Sequence, residues 1–247
     1  MIEKYLVKKI TEPVDWKVTV PGSKSMTNRA LLMAVLSAGT VRVEGVLFSD
    51  DSRHFLACLV ALGFTVEIEE EKKCVTVTGC GGRIPRGEAV IDVGSAGTAA
   101  RFLAAMLGFS DGCYEIRCSA QMKRRPMAEL FDLLSGAGAK ITFLEEEGHL
   151  PVRITGCRYA RADKTAGETP RELSLDITKS TQFLSALLLI APMVPEGMKI
   201  HITSEKTDGS YIRITRKMMQ EFGVSVAFDG RDYEVPCRSS YRKETYM

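Results

Sequence analysis

Pro21-Gly22-Ser23-Lys24-Ser25-Met26-Thr27-Asn28-Arg29-Ala30 joins a strand-like run to an apolar helix. Upstream, Trp16-Lys17-Val18-Thr19-Val20 alternates as a strand does, and downstream Leu31, Leu32, Val35 and Leu36 recur at helical spacing. The turn between them holds a Gly, two Ser and a Lys, with Arg29 one helical turn on. Backbone N–H groups at a helix start are unpaired and carry partial positive charge, so they favour an anion. An ordinary Ser N-cap flanked by solvated basic residues would read the same way, so this stretch alone leaves both readings open.

Composition narrows the classes. The 247 residues suit one large domain or two small ones, and 45% apolar with 26% charged residues is ordinary globular usage. A net charge of +2 and 7% aromatics leave little for an extended nucleic-acid surface or base stacking. A small anionic ligand stays compatible. The seven cysteines form no C-x-x-C pair and no zinc spacing with the three histidines, which points to reduced thiols, a cytoplasmic protein and no metal. The start of the chain lacks a signal-peptide apolar core, and the run from Phe183 to Val194 is broken by Pro192 and too short to span a bilayer.

The chain repeats itself three times. Gly63, Gly138 and Gly223 each follow an apolar helical pattern and precede a strand-like one, as C-cap glycines do. Before each lies a strand opened by another glycine: Gly39 then Val41–Val43, Gly112 then Tyr114–Ile116, Gly197 then Lys199–Ile202. After each comes a hairpin-like pair, Val66–Ile68 with Cys74–Val77, Ile141–Phe143 with Val152–Ile154, and Val224–Phe228 with Tyr233–Val235. A further helix opens each unit, at Ser25–Ser37, Thr98–Leu107 and Thr181–Ile190. With a strand before each of these helices, the order is β-α-β-α-β-β three times over. The second and third opening helices are apolar nearly all round, so the expected α/β (α+β) fold packs helices centrally and turns its sheets to solvent, an inside-out α/β barrel.

Equivalent units make the three helix starts equivalent. They read Ser23-Lys24-Ser25, Gly94-Ser95-Ala96-Gly97-Thr98 and Lys179-Ser180-Thr181-Gln182, with Arg29 and Arg101 about one turn inside the first two. One helix N-terminus favours an anion by about 0.3–1 kcal/mol when exposed and up to ~2 when partly buried. Three of them, with Lys24, Arg29 and Arg101, suit a multiply charged small molecule.

Five motifs in order, Pro21-Gly-Ser-Lys-Ser with Asn28-Arg29, Ser49-Asp50-Asp51 with Arg53-His54, Gly94-Ser-Ala-Gly-Thr-Ala-Ala-Arg101, Met122-Lys-Arg-Arg125-Pro126, and Ser180-Thr-Gln182-Phe-Leu, resemble the 5-enolpyruvylshikimate-3-phosphate (EPSP) synthase family. The related enolpyruvyl transferases of UDP-N-acetylglucosamine share the architecture. The resemblance implies two domains of three β-α-β-α-β-β units each, with the active site between them. This sequence would then supply residues 20–240 as the shikimate-3-phosphate-binding domain. Residues 1–19 would be a strand segment of the missing C-terminal domain, and residues 241–247 a crossover stub. Residues 1–18 and 241–247 are accordingly expected to be mobile or to pair with a second copy of the chain.

The implied reaction, a step of aromatic amino-acid biosynthesis in the shikimate pathway, transfers the enolpyruvyl group of phosphoenolpyruvate to the 5-hydroxyl of shikimate 3-phosphate, with no cofactor. By position, Lys24 would touch both substrates and act in catalysis. Ser25 and Arg29 would hold the shikimate ring hydroxyls and carboxylate, and Ser180, Thr181 and Tyr211 the 3-phosphate. Gly97, Arg125 and Gln182 would bind phosphoenolpyruvate, with Ser95, Thr98 and Arg101 completing the anion-binding helix start. Ser95 stands where the family usually has Asn, Thr181 where it has Ser, and Asp208 where it has a phosphate-binding Ser; a carboxylate there repels a phosphate. Asp50 and Asp51 read as helix caps rather than catalytic acids. The acid–base carboxylates would come from the missing half, so the chain alone is expected to bind shikimate 3-phosphate weakly and turn over nothing. Two other functions compete. One is a non-catalytic phospholigand-binding module, which Asp208 favours; the other is RNA-end chemistry on a related fold, which the charge and scarce aromatics disfavour.

Overall fold

The computed structural model describes residues 6–18, 20–157 and 169–247. The first unit runs α1 (Lys24–Leu36), β1 (Thr40–Val43), α2 (Asp50–Ala61), β2 (Thr65–Glu69) and β3 (Cys74–Thr78). The second runs β4 (Glu88–Asp92), α3 (Gly97–Gly108), β5 (Cys113–Arg117), α4 (Ala120–Lys123), α5 (Ala128–Gly136), β6 (Lys140–Phe143) and β7 (Val152–Thr155). The third runs β8 (Arg171–Leu175), α6 (Thr181–Ile190), a 3-10 turn at Ala191–Met193, β9 (Met198–Ile202), α7 (Ser210–Glu221), β10 (Ala227–Phe228) and β11 (Asp232–Val235), and β12 (Thr245–Tyr246) follows. The second helix of the middle unit is split because Pro126 pushes Arg125 out of helical conformation.

There are three four-stranded sheets, β12-β1-β3-β2, β4-β5-β7-β6 and β8-β9-β11-β10, the second and third each built by one unit and the first by the first unit with β12. The helices fill the centre. Every residue of α3 is buried, as are Thr27–Leu36 of α1 and Phe183–Ile190 of α6. Strands alternate buried and exposed positions, so one face of each sheet meets the helices and the other meets water. Gly63, Gly138 and Gly223 sit just past the ends of α2, α5 and α7 with φ of +92°, +96° and +89°. These are the left-handed C′ positions the repeat predicts. The third hairpin is shorter than its sequence suggests, with only Ala227 and Phe228 paired to β11.

The first unit departs from expectation at its opening strand. Trp16–Val18 and Val20 form no strand, and Thr19 lies outside the described residues, as do residues 1–5 of the predicted N-terminal segment. The place that β4 and β8 take in their sheets, parallel to the unit's next strand, is taken in the first sheet by β12. Arg42 N–H donates to Glu244 O at 2.8 Å and Glu44 N–H to Tyr246 O at 2.7 Å. The reason is side-chain burial. Tyr246 packs 5.0 Å from the Phe222 ring, and the fully buried Tyr241 donates its hydroxyl to Leu189 O at 2.8 Å. Trp16, Val18 and Val20 remain exposed. Thr245 and Tyr246 therefore pair with β1 of the same chain, where residues 241–247 were expected to be mobile or to pair with a second copy.

Candidate anion-binding site

The N-terminal turns of five helices meet at one end of the helical centre, and their side chains show it. On α1, Arg29 is 2% exposed. Its Nε donates to Thr215 Oγ1 on α7 at 2.7 Å, and its Nη2 to Ser185 Oγ on α6 at 3.3 Å and Tyr211 O at 3.5 Å. Its Nη1 donates to Ser25 O at 2.8 Å, and the guanidinium lies 5.3 Å from the Phe102 ring of α3. Arg101 on α3 lies 5.3 Å from the Phe183 ring of α6 and donates to Gly97 O at 3.0 Å. On the fifth helix, α2, Asp51 Oδ2 reaches Lys24 Nζ at 3.1 Å. Asp50 and Asp51 occupy the first turn of α2, but the cap is Ser49, reciprocally bonded with Ser52 in a capping box. With Ser49 serving as the cap, the Asp51 carboxylate is left to pair with Lys24.

The other four helices have no acidic residue in their first turns. Ser23 and Ser180 cap α1 and α6 through their hydroxyls, whereas α3 and α7 begin at Ala96 and Gly209 with no side-chain cap. The open N–H groups of α3 lie beneath Arg125, whose Nη1 occupies the space that a Cβ on Gly97 would need. The same Cβ would stand 2.8 Å from Arg101 Nη1. Only glycine lets two guanidinium groups approach the helix start this closely. Among the described residues, no ion pair joins Arg29, Arg101 or Arg125 to a carboxylate. Burial lowers the Arg29 guanidinium to about 10. Burial, with the neighbouring Arg125 charge second, lowers Arg101 to about 10 as well. Both stay cationic at neutral pH, desolvated and without a counter-ion. Buried charge in this state is costly until an anion arrives.

The sequence-predicted residues gather here with few exceptions. Lys24, Ser25, Arg29, Gly97, Thr98, Arg101, Arg125, Ser180, Thr181, Gln182 and Tyr211 all lie on or against these helix starts. Ser95 is turned aside, its Oγ 2.7 Å from Ser119 Oγ. Arg29, expected to hold the shikimate ring hydroxyls and carboxylate, is buried and spends its donors on the protein, pinning the starts of α1, α6 and α7 to one another. Sequence reasoning missed Ser185, Thr215 and Ser119, because their partners lie 156, 186 and 24 residues away. Asp208, expected to repel an anion, has its carboxylate occupied. Oδ2 accepts from Arg213 at 2.8 Å and Oδ1 from the Tyr233 hydroxyl at 3.3 Å.

A cavity of about 580 Å3 opens beside this cluster, between Asp50, Asp51, His54, Ser95 and Gln121. A larger one, about 900 Å3, lies at the far ends of α1 and α7, between Ser37–Thr40 and Tyr241–Thr245. Helix C-termini carry the opposite partial charge, so the larger cavity is the poorer anion site despite its size.

The sequence profile of EPSP synthase (3-phosphoshikimate 1-carboxyvinyltransferase) matches residues 8–242. The chain belongs to the EPSP synthase family. A 3-phosphoshikimate 1-carboxyvinyltransferase of Sulfurovum is 42% identical over 214 residues, covering 86% of this chain and 48% of the relative. That of Trichormus variabilis is 35% identical over 238 residues, covering 96% of this chain and 54% of the relative. The solved EPSP synthase of Acinetobacter baumannii superposes with a TM-score of 0.75 at 24% identity, over 92% of this chain and 48% of that one, and shows the same fold. The chain spans about half the length of the curated EPSP synthases it matches. All seven cysteines are free thiols, and no helix among the described residues is long and apolar enough to cross a membrane.

Proposed function

We propose that this chain supplies the shikimate-3-phosphate-binding half of an EPSP synthase. That enzyme transfers the enolpyruvyl group of phosphoenolpyruvate to the 5-hydroxyl of shikimate 3-phosphate in the cytoplasm. The observation that carries this reading is the meeting of helix N-termini around Arg29, Arg101 and Arg125, three guanidinium groups without a carboxylate partner among the described residues, in a chain of this family. Both substrates are small polyanions, and two phosphates and two carboxylates match such a field.

In this arrangement Ser180, Thr181 and Tyr211 take the 3-phosphate at the starts of α6 and α7. Ser25 holds the shikimate ring, with Arg29 fixing the Ser25 carbonyl and adding its charge from below. Gly97, Thr98, Arg101, Arg125 and Gln182 take phosphoenolpyruvate, whose carboxylate suits the bidentate fork of Arg125. Ser95 rejoins the site by exchanging its bond to Ser119. Lys24 leaves Asp51 to lie between the two substrates, where an ammonium stabilises the negative charge that develops as phosphate departs. A second domain supplies the proton-transferring carboxylates and closes the site from water.

Calorimetric titration of the chain with shikimate 3-phosphate tests the assignment. We expect weak saturable one-to-one binding that Lys24→Ala reduces about tenfold, with no phosphate released when phosphoenolpyruvate is added. Steady-state turnover by the chain free of host enzyme would refute the division of labour. A non-catalytic phospholigand module is the other reading that Asp208 invites, and absence of heat at millimolar shikimate 3-phosphate would favour it.

A further inference from the structure

The start of α7 combines an anion with the means to neutralise it. Asp208 precedes the uncapped Gly209, and its carboxylate is held from three sides: by Arg213 at 2.8 Å, by the Tyr233 hydroxyl at 3.3 Å and by the Gly209 N–H. Burial alone pushes the Asp208 carboxyl up, yet these donors outweigh it and leave it below the usual carboxylate range. Tyr233 is fully buried on β11 and shares its one hydroxyl proton between Thr207 O at 2.8 Å and Asp208 Oδ1 at 3.3 Å, so Arg213 is the main clamp on the acid. Arg213 is further tied to Ser210 Oγ at 3.3 Å. The carboxylate thus has both oxygens engaged on the sheet side of α7.

Gly209 itself borders other groups. A Cβ there would stand 3.7 Å from Thr181 Cγ2 and 3.8 Å from Lys206 Cε. Lys206 and Thr181, the first residue of α6, therefore both flank Gly209 at the uncapped start of α7. Lys206 is held in place through its own carbonyl, which accepts from the buried Ser204 hydroxyl at 2.9 Å. Among the described residues, no ion pair joins Lys206 to a carboxylate.

We propose that Lys206 is a phosphate-binding residue at the α6–α7 mouth, and that Arg213 is a positioning residue whose clamp on Asp208 keeps that mouth electropositive. This rests on the reading of the site given above. The ligand group is the phosphate monoester of shikimate 3-phosphate rather than its ring or carboxylate. With the clamp intact, Asp208 and Arg213 cancel, and Lys206 with the two helix starts sets the local charge. With Arg213 removed, Asp208 becomes an uncompensated anion beside the phosphate, and repulsion at intermediate dielectric lowers affinity.

The test is calorimetry of the whole chain with shikimate 3-phosphate and, in parallel, with unphosphorylated shikimate, each variant first shown to be folded by its melting transition. Lys206→Ala should weaken shikimate 3-phosphate about tenfold and leave shikimate within about twofold. Arg213→Gln should weaken shikimate 3-phosphate by about fivefold to tenfold, and adding Asp208→Asn should restore it. A purely structural role for Arg213 predicts no such rescue. Unchanged affinity in Lys206→Ala, or an Arg213→Gln defect that Asp208→Asn does not repair, overturns the inference while leaving the site reading intact. Failure of the unaltered chain to bind shikimate 3-phosphate removes both.

Discussion

Arg101 shows most plainly how the site trades stability for ligand affinity. It is 7% exposed, its Nε has no hydrogen-bond partner, and burial lowers its guanidinium to about 10. A base whose folded value lies below its unfolded one releases its proton first in the folded state. Its destabilising effect is therefore fully present at neutral pH and is relieved as pH rises above about 10. Arg101→Met should raise the melting temperature of the ligand-free chain, by about 1 kcal/mol of stability, and weaken binding of the anionic substrates. A lower melting temperature would show that the charge is already compensated. Gly97→Ala makes the complementary case. The new Cβ meets only the flexible ends of Arg125 and Arg101, so stability should fall by less than about 1 kcal/mol while phosphoenolpyruvate affinity drops sharply. Asp208 follows the usual carboxylate sign. Its contribution to stability is present above the unfolded carboxyl value and is lost as pH falls through the lower folded one.

Among the elements, β12 is the one that reorganises the sequence reading. The three-fold repeat was legible because glycine punctuation and hydrophobic periodicity are local signals. Gly63, Gly138 and Gly223 mark helix ends whatever surrounds them, and the apolar runs in α3 and α6 demand burial wherever they pack. Which segment completes the first sheet is not a local property. Trp16–Val20 alternates as a strand should, yet β12, a short segment of modest pattern, has the edge of β1 because Tyr241 and Tyr246 bury their rings against Phe222 and α6. Tyr246→Ala should destabilise the chain by about 2–4 kcal/mol, measured by denaturant unfolding. Increased amide exchange at Arg42 and Glu44, which donate to this segment, should accompany it. An unchanged midpoint with protected amides would show that the strand is ornamental.

At the scale of the molecule, three units arranged around central helices turn ordinary helix starts into a single electropositive pole. The chemistry of that pole was readable in part. Lys24, Arg29, Gly97 and Arg101 occur at matched places in successive units, so their convergence follows once the units are equivalent. The depth of Arg29 was not readable because its partners come from α6 and α7 of another unit. The diversion of Ser95 and the clamp on Asp208 were not readable because Ser119 and Tyr233 lie 24 and 25 residues away in the chain. The fold also places two of its cavities at opposite ends of the helices. The larger, near Arg242, faces helix C-termini, and the smaller lies beside the helix N-termini. Between these two, size and helix-end charge therefore point to opposite poles. Amide chemical-shift mapping during titration with shikimate 3-phosphate decides between them. The predicted result is saturable shifts at Ser25, Ser180, Thr181 and Tyr211, with Thr40 and Arg242–Thr245 unmoved. Shifts concentrated at Thr40 and Arg242–Thr245, or none at the helix starts, would contradict the assignment of the site.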